Sequence, residues 1–73
     1  MDEHNHHSEV RALEVGLPYL LKHNKEHIED INKWINRAKQ AGYNEVANDL
    51  QKVLELSQEI TKHLESALKK LKG

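Results

Sequence analysis

Two long apolar stripes at helical spacing, separated by a single glycine turn, constrain this chain more than any other feature. In the first stripe Leu17, Leu20, Leu21, Ile28, Ile31, Ile35 and Ala38 recur at three- and four-residue steps. In the second Val46, Leu50, Val53, Leu54, Ile60, Leu64, Ala67, Leu68 and Leu71 do the same. Such steps gather side chains on one face of a 3.6-residue helix, and no strand-like alternation competes with them. The opposite faces carry Glu and Lys four apart, as in Glu29 with Lys33 and Glu65 with Lys69, a spacing that adds some support to an exposed helix. Between the stripes stands "AGYN". Gly42 suits a left-handed C-terminal cap because it has no Cβ to clash, Tyr43 can fold back toward Ala38, and Asn44 suits the N-cap of the next helix. A connection this short makes its neighbours antiparallel. The expected fold is therefore all-α, an antiparallel helical hairpin.

The N-terminal side is less regular. Ser8 can cap a short helix, and Gly16 and Pro18 interrupt it, since proline lacks an N–H and biases Leu17 away from helical geometry. The reading is a flexible His-rich tail over 1–7 and one domain over 8–73, with helices at about 8–16, 18–41 and 44–71. Val10, Leu13, Leu17 and Leu20 keep one phase across the proline, so a single kinked helix is the alternative. A chain of 73 residues with no Phe and 32% charged residues has little apolar surface to set against the entropy of ordering it. Without Cys, a disulfide cannot supply the difference, which leaves a metal or a partner. Leu56 and Trp34 flank the two stripes and should leave apolar surface after the hairpin closes. Two hairpins would then pair into a four-helix bundle, in place of a three-helix monomer. A homodimer or a protein partner is expected.

Charge and patterning exclude several classes of function. A formal net charge of −1 lacks the clustered cations that nucleic-acid binding needs. The one basic run, "KKLK" at 69–72, sits where cations offset the carbonyl end of a helix. No apolar run reaches the length of a membrane span, and "MDEHNHHSE" is acidic where a signal peptide would be basic; a cytoplasmic protein is expected. There is no Ser or Cys nucleophile with an oriented base, no phosphate-cradling glycine loop and no paired E-x-x-H motif on the long helices, so no enzyme is expected.

The informative exceptions lie inside the first stripe. At about 100° per residue, Asn24 falls near its middle, His27 inside one edge, and His23 and Trp34 along that edge. A polar residue at such a position often sets register or partner choice at some cost in stability; the alternative for Asn24 is to orient His27 as a metal ligand. Trp34 reads as a core cover or an interface anchor. His23 and His27, four apart, project side by side as two nitrogen ligands for one metal. Facing positions of a hairpin centred on Gly42 and Tyr43 should sum to about 86, which sets His63 opposite His23 and Glu59 opposite His27. Three imidazoles and a carboxylate would suit zinc, cobalt, nickel or copper. His4, His6 and His7 form a separate metal-prone tract, or merely a polar end. Two functions compete: a small transition-metal-binding module, and a homodimerising or partner-binding hairpin whose His and Asn residues specify pairing.

The stretch "HNKEHIEDINKW" resembles a family of small, uncharacterised bacterial and archaeal helical domains. In that family a Leu- and Pro-containing helix start leads into H-N-x-x-H, a Trp, a Gly turn and an Ala- and Leu-rich second helix. The pattern falls here on Leu17, Pro18, His23, Asn24, His27, Trp34, Gly42 and the segment 46–71. The resemblance implies that His23, Asn24 and His27 belong to one shared site. It carries no activity with it and does not include His63. It also implies a His at the position of Tyr19, so that a further ligand on the preceding turn is missing from this chain.

Overall fold

A computed structural model of the chain describes the backbone of residues 3–73 and the side chains of residues 8–73. Two helices, α1 (Glu3–Gln40) and α2 (Asn44–Lys72), pack against each other as an antiparallel hairpin. The expected break between a helix 8–16 and another at 18–41 does not occur: Pro18 lies inside α1. A straight helix of 38 residues is about 57 Å long, and the molecule measures 58 Å along its long axis, so the proline does not fold α1 back on itself. Proline removes one helical hydrogen bond and crowds the preceding turn, at about 3 kcal/mol. Two features offset that here. Pro18 is exposed, so the displaced carbonyl can face water, and the half-buried Leu17 and Leu21 on either side of it belong to the seam against α2. The alternative of one helix running through the proline is the correct one. The expected flexible tail falls on residues whose side chains lie outside those described.

The turn is built as its glycine requires. Gly42 adopts φ +85°, where a Cβ would be strained. Its N–H donates to the Lys39 carbonyl at 3.0 Å, and the Tyr43 N–H donates to the Ala38 carbonyl at 2.9 Å, the paired bonds of a Schellman cap. Asn44 is not the N-cap of α2. Tyr43 occupies that position with φ −90° and ψ 71° and makes no side-chain capping bond. The Schellman geometry ties the backbone of Tyr43 to α1, and Asn44 becomes the first helical residue.

Seven-residue rows describe the packing. On α1, Leu17, Asn24, Ile31 and Ala38 form one row and Leu21, Ile28 and Ile35 a second. On α2 the corresponding rows are Leu50, Ser57, Leu64 and Leu71, and Ala47, Leu54, Thr61 and Leu68. Every one of these residues is buried or half-buried. Ile31, Ile35 and Leu54 form the tightest cluster, with Ile28 and Leu50 against it, so the driest part of the core lies toward the turn. With Asn24 bonded to Thr61, facing positions sum to about 85. Lys72 is then roughly level with Leu13, and the first turns of α1 extend past the end of α2.

Candidate functional site

The seam is divided by one polar layer. Asn24 Nδ2 donates to the Ser57 carbonyl at 2.9 Å and to Thr61 Oγ1 at 2.7 Å, and Thr61 Oγ1 donates in turn to the Ser57 carbonyl at 3.2 Å. One amide group supplies both N–H donors. Ser57 is buried at 7% exposure, which brings the α2 backbone within reach of the amide. Toward the turn lies the isoleucine cluster; toward the open end lie Leu17 and Leu21 of α1 with Leu64 and Leu68 of α2. Sliding α2 by one helical turn would leave the amide facing hydrocarbon, with its bonds to Ser57 and Thr61 unmade. Its N–H groups are directed at α2 and not at His27.

One further row on each helix is left uncovered. On α1 it comprises Leu13, Leu20, His27 and Trp34; on α2, Val46, Val53 and Ile60, with the half-buried Ala67 continuing the row. Leu13, Leu20 and Trp34 are 44–54% exposed, and Val46, Val53 and Ile60 are 42–49% exposed. Both rows lie on the same side of the hairpin, because Leu20, His23, Asn24 and His27 share a groove of about 210 Å³ with Ile60 and Leu64. Leu56, 66% exposed, lies next to the second row. Trp34 carries the Arg37 guanidinium over its ring, 4.6 Å from the centroid, a cation–π contact made within α1.

The histidines occupy the edge of this uncovered side. Tyr19, His23 and His27 form a ladder of near-parallel rings, with centroids 5.9 Å and 6.0 Å apart and interplanar angles of 6° and 15°. The structure thus brings His23 and His27 together. Their side chains are exposed and can turn about their χ angles.

His63 is exposed on α2 and does not line the groove beside His23. Glu59 lies elsewhere: it lines a concavity with Lys25, Ile28, Glu29, Glu55 and Lys62 on the other side of the hairpin, with Lys62 Nζ 3.6 Å from its carboxylate. Among the described residues, no three imidazoles or carboxylates converge as a metal site. The side chains of His4, His6 and His7 lie outside the described residues. What sequence reading missed is Ser57 and Thr61, a pair of small hydroxyl residues four apart inside the second stripe. That interruption of hydrocarbon at the level of Asn24 was the available signal.

A family model described as a domain of unknown function (DUF8180) matches residues 13–71. That span is close to the length over which the two helices face each other, and it includes both uncovered rows. No curated protein and no solved structure matches the chain. Among the described residues, no helix is long and apolar enough to cross a membrane.

Proposed function

The chain belongs to the DUF8180 family, and we propose that it is a non-enzymatic pairing module: a register-locked helical hairpin that docks its uncovered side on a second copy to form a four-helix bundle. The observation that carries this reading is the pair of seven-residue rows left exposed on one side. Bundle helices carry three apolar rows when they have two neighbours. Each helix here has three, and the hairpin covers two of them.

Area supports the same conclusion. A compact monomer of 8.5 kDa exposes roughly 4,700 Å² by the usual mass scaling. This chain exposes 6083 Å², an excess of about 1,400 Å² to which its elongated shape, 58 Å by 16 Å by 15 Å, contributes, and which leaves room for the roughly 800 Å² per partner of a stable interface. Light scattering on the full chain tests the reading. The expected mass is twice 8.5 kDa, falling to the monomer in Leu20→Glu/Ile60→Glu with helicity retained. A wild-type mass of one chain at every concentration, with and without an added divalent transition ion, refutes it.

Transition-metal binding is a second reading, favoured by the adjacency of His23 and His27. Zinc, cobalt, nickel and copper all accept imidazole, and His63 or Glu59 would complete such a site only after rearrangement of their side chains.

A further inference from the structure

We propose that His23 and His27 from two copies of this chain meet at the two-fold axis of the dimer and hold one divalent transition ion between four imidazoles. The proposal rests on the pairing reading above and adds a ligand to it. Two imidazoles four apart on a helix make half of a tetrahedral site. Of the groups level with them on α2 within one chain, Ile60 and Leu64 line the shared groove and offer no donor atom, His63 is exposed outside that groove and does not converge with them as a metal site, and Glu59 is turned to the other side beside Lys25 and Lys62. A two-fold axis supplies the missing half without any further residue, because it repeats the same pair.

Where the axis would cross follows from the uncovered row. On α1 that row runs from Leu13 to Trp34, and His23 and His27 straddle its midpoint. Two identical apolar faces packed antiparallel overlap most fully when the axis perpendicular to the helices passes through the middle of each face, and an isologous interface pairs each residue near the axis with its own copy. The histidines of both copies are thereby drawn to one level. The apolar surround of Leu20, Ile60 and Leu64 would exclude water from the bound ion, and His27 would lie in the interface as a ligand in place of an unpaired polar group.

The probe is Co²⁺, whose visible absorption reports tetrahedral nitrogen coordination, titrated into the full chain with native mass spectrometry in parallel. One cobalt per two chains is expected. His23→Ala and His27→Ala should each weaken binding by at least the 10- to 100-fold that even loss of a group supporting a ligand costs, with far-UV helicity unchanged because both side chains are exposed. His63→Ala, Glu59→Ala and the triple variant His4→Ala/His6→Ala/His7→Ala should leave stoichiometry and absorption unchanged. Dimerisation only in the presence of cobalt meets the same expectation. A metal-free dimer that takes up no cobalt, takes up one per chain, or binds through His63 or the tail overturns the shared site and leaves the pairing reading intact. A monomer both with and without cobalt overturns the pairing reading itself.

Discussion

The Asn24 layer predicts a specific coupling energy between two residues 37 positions apart. Asn24→Ala removes two part-buried hydrogen bonds, to the Ser57 carbonyl and to Thr61 Oγ1. At about 1 kcal/mol net for each, the loss should be about 2 kcal/mol. Domains of this size shift by roughly 4–8 °C per kcal/mol, so the midpoint should fall by about 8–16 °C. Thr61→Val keeps the shape of the side chain and removes only the 2.7 Å bond from Asn24 and its own 3.2 Å bond to Ser57. In the double variant the Asn24–Thr61 bond can be lost only once. The cycle should therefore show a coupling of about 1 kcal/mol, while the bond from Asn24 to Ser57 appears in the Asn24 variant alone. Thermal and urea unfolding followed by circular dichroism, at one fixed chain concentration because the proposed pairing would make stability concentration-dependent, measures all four species. Additivity within about 0.3 kcal/mol would show that the amide and the hydroxyl do not stabilise each other, and the register-fixing role of the layer would fall with it.

Three further outcomes follow from local geometry. A Cβ added at Gly16 meets nothing within 4 Å, so Gly16→Ala should stabilise α1 by about 0.5–1 kcal/mol, read as a raised melting temperature; a lowered one would mean that the helix around Pro18 is not continuous. Gly42→Ala has open space as well but would have to hold φ +85°, and a loss of about 1–2 kcal/mol is expected, whereas no change on denaturant unfolding would contradict the Schellman turn. Lys25 and Glu65 are joined at 3.8 Å with both side chains more than half exposed, so neutralising either should move stability by no more than about 0.5 kcal/mol, and a larger, salt-sensitive loss would show that the pair is buried in the assembled protein.

The hairpin, the glycine of its turn and the central position of Asn24 are legible because each depends on a property local to a few residues: apolar period, the φ demanded of a glycine, the step of 100° per residue; the N-cap is not, because the Schellman bonds hold Tyr43 in the place expected of Asn44. Pro18 was misread for a related reason. Its local preference is to end a helix, and what overrides that preference is packing of Leu17 and Leu21 in the seam with α2, information held some fifty residues away. The facing rule behaved likewise. Numbers summing to about 85 or 86 fix which residues lie level along a hairpin, and Asn24 with Thr61 obeys that rule. Level says nothing of angle, however. Glu59 and Ile60 are one residue apart and nearly level with His27, yet that one step turns a side chain by about 100°. Ile60 lines the groove with His27, whereas Glu59 lines the concavity with Lys25 and Glu29. Angle is also what links the two uncovered rows. Leu20 and Trp34 on α1, with Val53 and Ile60 on α2, keep the same seven-residue step as the seam rows but are rotated off them to one side. A helix patterned for a single neighbour has no use for that third row, and its presence on both helices, on one side of the hairpin, is what the proposed pairing with another copy rests on.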